Sequence, residues 1–524
     1  MSYSIKQSTK FSLSNVLFLI VIFSVGLITR LYYLPFDIPI VLDGASYFWY
    51  ANDMSILGQI PSEYKPHNNL WSSILSIFFT VNSSNEILNY MNIQRILSSV
   101  ISSLTVFPIF FLCKRFFSNK YALIGSLFFV LDPRIIMNSL LGITEPIYLL
   151  IGIIIILFSF YKNEKLQYLS FGLAAVLTLI RYEGLLIFIP LTISFFWKFR
   201  INKKSILKYV LCIIIFILVL LPMVETRIQA TGQDGIISHI FSGTNYVSNT
   251  LSGTYEKQDR GEFLKDGITN SIIFLGWITI PIWIIFLPYG IWKYFKKLDF
   301  QKSTLLLFSI VLILPAIYAY ARDIPETRYL YILFPLFSII SLYSIERISK
   351  NGNWKMIFGV IVIGIIVGSV GWMEYKWINT EYEKQAFELS FKIKELTNGV
   401  NEFYPESAYL NFINLNDKFP KLKNEIKEKH KIFSLNNYEK VEDLILNERS
   451  NGLTHIVADN SQNVKNQRPE FLVNIYENEY KYGFLKKIYD SKDDEFTYHL
   501  KIFEINYELF DEYIKDNNQE LIKN

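Results

Sequence analysis

Acidic and basic side chains stand where this otherwise apolar sequence has least reason to hold them. Asp43 lies in LPFDIPIVLDGASYFWYANDM, directly after the first long apolar run, with Tyr47 and Tyr50 below it at helical spacing. Asp132, Arg134 and Glu145 bracket a turn in LDPRIIMNSLLGITEPIYLL. Arg181, Tyr182 and Glu183 interrupt the apolar string LTLIRYEGLLIF, and Arg322 and Arg328 flank a turn in ARDIPETRYLYILFPLF. A carboxylate that caps a helix and is partly desolvated by neighbouring elements has a raised pKa and can accept a proton from an attacking hydroxyl. A guanidinium presents a planar fork of donors that matches phosphate oxygens. Each group also has a plainer reading. Asp43 can be a simple N-cap, Thr-Glu-Pro a capped helix start, Arg-Tyr-Glu a short exposed hairpin, and the two later arginines interfacial anchors.

The elements that must position these groups are membrane spans. The chain has 51% hydrophobic residues, 43 Phe and a mean hydropathy of +0.26, and its apolar runs recur at bilayer length. Apolar runs and their punctuation place spans near 11–33, 96–114, 120–136, 147–161, 166–180, 184–198, 205–223, 270–292, 303–320, 329–346 and 355–375, about eleven in all. The segment 69–82 is too short to span and reads as an interfacial helix or one packed on the others. Met1–Lys10 is polar and basic, and the run after it is too long for a signal-peptide core, so it is read as a retained first helix.

Charge sets the orientation. With this count, Lys6 and Lys10, Lys114, Arg115 and Lys120, Lys162 and Lys165, Lys198 to Lys208, Lys293 to Lys302, and Arg347, Lys350 and Lys355 collect on one side. Short loops rich in Lys and Arg stay cytoplasmic, so the expected topology is that of a multi-pass plasma-membrane protein, N-terminus inside and C-terminus outside. The outer face then holds the loops 34–95 and 224–269, the turns that carry the candidate side chains, and the C-terminal residues. A first region, 1–376, is expected to be the multi-span bundle.

A second region, 377–524, has a different texture. Short β-rich strings, SAYLNF (407–412), KIFSL (431–435), THIVAD (454–459), LKKIYDS (485–491) and YHLKIFEIN (498–506), alternate with amphipathic stretches at 415–429 and 438–449. This is the pattern of a small extracytoplasmic α/β domain. Cys113 and Cys212 both fall in expected spans, so no disulfide framework staples that domain. His67, His239, His430, His455 and His499 show no paired ligand spacing, and no His-built metal site is expected. No Walker loop, dinucleotide fingerprint or serine-nucleophile elbow occurs, and no nucleic-acid partner is expected.

Taken together, an acidic residue in the first external loop followed by Tyr and an Ala-Asn-Asp-Met helix, the Thr-Glu-Pro turn, the Arg-Tyr-Glu-Gly turn and the Arg-Tyr-Leu helix with its Pro resemble the GT-C glycosyltransferases. The nearest likeness is to the protein O-mannosyltransferase and aminoarabinose-transferase branch, over residues 11–375. The resemblance implies a helical bundle with a cavity open to the outer leaflet, a sugar donor linked to polyprenyl or dolichyl phosphate, and inversion at the anomeric carbon. It assigns the catalytic carboxylate to Asp43, the second acidic position to Glu145 and a donor-phosphate contact to Arg328. Asp132, Arg181 and Glu183 would line the cavity. Tyr47, Tyr50, Arg134 and Arg322 complete the expected substrate-binding set.

Two departures bear on the chemistry. Many relatives carry a second acidic residue beside the first, where this chain has Gly44. The Trp-Trp-Asp motif of oligosaccharyltransferases is absent, which argues against transfer of a whole oligosaccharide. A monophosphate leaving group can be stabilised by Arg and Lys alone, so no cofactor is required, although Mg or Mn could be accommodated. The acceptor is a hydroxyl on a protein, glycan or lipid. Rival readings are a transporter or flippase, which would hold its charges near the midplane of repeated halves, and a non-catalytic scaffold with an external interaction domain.

Overall fold

The computed structural model describes residues 13–64, 68–238, 260–350, 352–402, 410, 419–426, 431–435, 438–459 and 469–523. Outside the described residues lie the basic stretch Met1–Lys10, His67, His239 and His430, the middle of the loop 224–269, most of the string at 407–412 and both ends of the stretch at 415–429.

Helices dominate the first three quarters of the chain. In order they are α1 (Leu13–Tyr32), α2 (Leu42–Leu57), α3 (Leu70–Val81), α4 (Ile87–Leu104), α5 (Val106–Lys114), α6 (Asn119–Val130), α7 (Pro133–Leu140), α8 (Glu145–Ser159), α9 (Glu164–Ile180), α10 (Phe188–Phe199) and α11 (Lys203–Thr231). Helices at Arg260–Ile278, Leu287–Phe295, Phe300–Leu312, Leu314–Tyr320, Phe334–Lys350 and Trp354–Leu396 follow. Among the described residues seven are long and apolar enough to cross a membrane, or eight if the bent pair α6 and α7 is one span. The expected spans all fall on helices, several of them broken, so the protein is a multi-pass helical membrane protein.

Proline explains the breaks. Pro108 has no N–H to donate to the carbonyl of Leu104 behind it, and the helix interrupts at Thr105. Pro133 opens α7, whose axis turns 47° from that of α6. In α3, Trp71, Leu75 and Phe79 form one buried stripe at helical spacing, and Trp71 Nε1 donates to the carbonyl of Gly142 at 3.1 Å, so this short helix is packed. Burial separates central from peripheral spans. Of the most apolar window in Thr327–Lys350, 78% is buried, against 11% in α11, whose exposed Leu207, Leu218 and Ile217 suit contact with lipid.

The chain forms two compact units. The first comprises Met1–Leu34, Leu57–Thr80 and Ile93–Tyr375 and holds most of the membrane helices. Within it α9 packs on α8 and α11, and α6 on α5 and Phe334–Lys350.

The second unit gathers Pro35–Ile56, Val81–Asn92 and Lys376–Asn524. Among the described residues its sheet has five strands, β1 (Gly399–Asn401), β2 (Lys431–Phe433), β3 (His455–Asp459), β4 (Leu485–Asp490) and β5 (Leu500–Ile505), in the order β2-β1-β3-β5-β4. β1 runs parallel to β2 and β3, while β5 is antiparallel to β3 and β4. All five residues of β3 are buried, as its near-continuous apolar run requires of a central strand. β1 is so short that the Asn401 side chain continues its ladder, donating to the carbonyl of Val457 at 3.0 Å and accepting its N–H at 2.7 Å. Leu444, Ile445, Ile456, Ile475, Phe503 and Phe510 form the core on one side, with Val441–Glu448 and Glu470–Glu477 as covering helices.

Candidate functional site

In the membrane unit an open cleft with about 390 Å³ of empty space is lined by Glu145, Tyr148, Arg181, Glu183, Arg328 and Tyr329, over an apolar wall of Leu149, Leu312, Pro315 and Ile332. Local sequence places each charge. Glu145 is the first residue of α8, beside the helix's positive end, one residue earlier than Pro146 alone suggests. Arg181 leaves the end of α9 in an extended conformation, φ −146 and ψ 137, and a 3-10 turn from Tyr182 to Ile187 follows. Gly184 lets that turn fold back: a Cβ there would lie 2.6 Å from the carbonyl carbon and oxygen of Leu177. Arg328 belongs to the 3-10 turn Thr327–Leu333 that enters the next helix.

The charges interlock. Glu145 Oε1 accepts from Arg181 Nη1 at 2.5 Å and lies 3.6 Å from Arg328 Nη1. Arg181 also forks onto Glu183, through Nη2 to Oε1 at 3.0 Å and Nε to Oε2 at 3.4 Å. Its guanidinium lies 5.8 Å from the Tyr148 ring and 5.7 Å from that of Tyr329, and Arg328 lies 5.8 Å from Tyr329. Glu145 is only 5% exposed, and its second carboxylate oxygen is buried without a hydrogen-bond partner among the described residues. The four charges that line the cleft sum to zero. An entering anion therefore competes with two carboxylates for the guanidiniums, and polar substrate groups can donate to the unfilled oxygen.

Other expected residues sit elsewhere in the same unit. Asp132 is the N-cap of α7: its carboxylate accepts the N–H groups of Arg134 at 2.9 Å and Ile135 at 3.3 Å, and Trp283 Nε1 at 2.8 Å. Asp132 is not among the side chains that line the cleft. Arg134 donates to the carbonyl of Trp277 at 2.7 Å and lies 4.7 Å over Trp372. Arg322 is exposed and reaches the Tyr318 hydroxyl at 3.4 Å. Neither arginine lines the cleft.

Asp43, Tyr47 and Tyr50 belong to the second unit, on α2. The helix opens at Leu42, whose φ of 53° is left-handed, and Asp43 sits in its first turn. Asp43 is exposed, so the partial burial expected of it is absent; Tyr47 is half-buried and Tyr50 buried.

Sequence reasoning passed over Tyr148 and Tyr329. The first lies one turn below Glu145 and the second beside Arg328, a signal drowned by a chain with 34 Tyr. Arg30 was also unremarked. It is fully buried in α1, donating to Ser102 Oγ at 3.0 Å and the Gly26 carbonyl at 2.8 Å, and an Arg inside an apolar window was its sign. A second hollow, of about 220 Å³, lies on the other side of the Arg181-Tyr182-Glu183 turn, lined by Asn69, Tyr182, Arg227 and Asp234 among others. Among the described residues no group of three His, Cys, Asp or Glu side chains could hold a metal ion.

No family model matches the sequence, and no curated protein matches it. Solved structures do. ArnT from Cupriavidus metallidurans bound to undecaprenyl phosphate superposes with a TM-score of 0.57 at 8% identity, covering 94% of this chain and 98% of that one. The apo state of the same protein gives 0.53 at 8% identity, with the same coverage. The archaeal oligosaccharyltransferase AglB from Archaeoglobus fulgidus, in complex with an inhibitory peptide and a dolichol-phosphate, gives 0.50 at 11% identity over 86% of this chain and 70% of that one. At such identities the likeness is one of architecture: the chain has the fold of the GT-C membrane glycosyltransferases, a polytopic helical bundle followed by a small C-terminal α/β region.

Proposed function

We propose that this protein transfers a sugar from a polyprenyl- or dolichyl-phosphate donor to an acceptor hydroxyl of a protein, glycan or lipid, at the outer face of the plasma membrane, with inversion. The observation that carries the reading is the pair of guanidiniums, Arg181 and Arg328, held by Glu145 in an open cleft of the membrane unit. The fold supports it, since neighbours of the same fold have been solved with undecaprenyl phosphate or a dolichol-phosphate.

In the proposed displacement the acceptor oxygen attacks the anomeric carbon as its proton passes to the Asp43 carboxylate. The bond between that carbon and the phosphate oxygen breaks, and the lipid phosphate leaves with the electron pair. Arg181 and Arg328 stabilise the charge that develops on it. Tyr148 and Tyr329 keep the guanidinium planes in place. The cleft's carboxylates do not fit a divalent cation, because Glu183 is forked by one arginine and Glu145 is shared between two. Phosphate charge is then met by guanidinium. The transporter reading wants charge near the midplane; the buried Arg30 is committed to Ser102 and to its own helix, which does not favour that reading.

The experiment is sugar transfer in purified membranes given radiolabelled polyprenyl-phosphate sugars. Asp43→Asn is expected to lose about two orders of magnitude at unchanged protein level, the usual contribution of a general base. Arg328→Gln is expected to weaken donor binding. Equal activity in wild type and Asp43→Asn removes Asp43 from the mechanism, and no transfer from any donor overturns the reading.

A further inference from the structure

Helix α2 carries Asp43 in its first turn and, two to three turns further on, Asn52 and Asp53, which are buried. Asp53 is 5% exposed, and its Oδ1 accepts the backbone N–H of Lys423 at 3.0 Å, a residue 370 positions away. Asn52 Nδ2 donates to the carbonyl of Lys421 at 2.7 Å and to Asp53 Oδ1 at 3.0 Å. Just before them in the chain, Phe419 is 1% exposed and lies among Phe48 at 6.0 Å, stacked at 18°, Trp49 at 6.5 Å and Tyr90 at 4.8 Å. Its N–H donates to the carbonyl of Asn85 at 3.2 Å. The segment 419–426 thus grips both external stretches of the second unit, 35–56 and 81–92.

These bonds run from side chains of α2 to main-chain atoms. Burying a carboxylate is costly unless it is fully hydrogen-bonded, and packing alone needs only the apolar contacts that Phe419 already makes. What Asn52 and Asp53 add is register: they fix which residue of the segment faces which turn of the helix. The other end of α2 is strained, because Leu42 holds a left-handed backbone immediately before Asp43. Such a conformation persists only where the surroundings over-determine it.

We propose that the segment 419–426 is a clamp that fixes α2, and that Asp53 is a positioning residue for the transfer reaction, acting through Asp43. A helix is stiff over the roughly 15 Å that separates the two carboxylates, so holding its far end sets the direction of its first turn. The inference rests on the transferase reading for its catalytic consequence, but the clamp itself can be read without activity.

The test measures donor KM and kcat with a radiolabelled polyprenyl-phosphate sugar, together with hydrogen–deuterium exchange, in the full-length protein and in Asp53→Ala, Asp53→Asn and Asn52→Ala. Misplaced catalytic groups lose rate rather than donor affinity, so Asp53→Ala should lose at least about tenfold in kcat with donor KM within about twofold. Exchange across residues 43–50 should rise. Asp53→Asn, which keeps the acceptor for Lys423, should restore kcat to within a few fold. Unchanged kcat in the folded Asp53→Ala protein, or unchanged exchange across 43–50, overturns the clamp. If Asp53→Ala does not fold, Asn52→Ala, which removes the bond to Lys421, is judged by the same criteria. A wild type that transfers nothing overturns the transferase reading and with it the catalytic role; exchange then decides the clamp alone.

Discussion

Glu145 restrains two guanidiniums through one oxygen, and that economy makes the cleft sensitive to single substitutions. Removing Arg181 leaves a carboxylate that is 5% exposed with, among the described residues, only the 3.6 Å contact to Arg328. Arg181→Ala should therefore destabilise the protein by about 2 kcal/mol or more, while the double variant with Glu145→Gln should recover part of that loss, because no unpaired charge remains buried. Thermal unfolding in detergent measures both, and a double variant worse than the sum of its singles would refute the coupling. Glu145, Arg181, Glu183 and Arg328 were legible in the sequence because charge inside an apolar run must be answered by a partner. The aromatic rings that flank them were not, since tyrosine is common throughout. Nor was the exposure of Asp43 legible, as it depends on what packs around α2 and not on the spacing of its own residues.

At the scale of elements, Gly184 joins α9 to the turn that presents Arg181 and Glu183. A methyl group there would meet backbone atoms of Leu177 and Thr178 at 2.6 to 2.8 Å, and backbone cannot yield as a side-chain tip can. Gly184→Ala should push the turn outward and cost about 1 to 3 kcal/mol, read as a lower melting temperature. A variant with wild-type melting temperature would show that the turn has slack. Hydropathy located the spans, and Pro133 marked the bend between α6 and α7. β1 escaped notice because three residues give no alternation, and its pairing with β3 is completed by the side chain of Asn401.

For the whole molecule, orientation is the proposal that labelling can decide. Ser434→Cys, at the end of β2, should react with a membrane-impermeant maleimide in intact cells, given that Cys113 and Cys212 are buried. Reaction only after permeabilisation would invert the topology. Acid should also loosen the C-terminal region. Burial holds the His455 imidazole below its ordinary pKa, more strongly than the facing Glu504 raises it. The unfolded chain therefore takes up a proton that the fold resists, and stability is full above about pH 6.5 and falls as the pH drops through that range. His455→Gln should flatten the profile, and an unchanged profile would remove His455 as its cause. The sequence announced a bundle followed by a mixed α/β region. What it could not announce is that residues 35–56 and 81–92 cluster with residues 376–524, because long-range pairing leaves no local period.

The bond from Lys423 to Asp53 has a consequence in time. A ribosome adds about 5 to 20 residues per second, so α2 emerges some tens of seconds before the segment that holds it. Through that interval Phe48 and Trp49 lack the ring of Phe419 that later joins them. The first loop must wait unfinished, a ready substrate for chaperones and proteases, until translation has passed residue 423. Its assembly is therefore among the last events in making the protein, although its residues are among the first to be made.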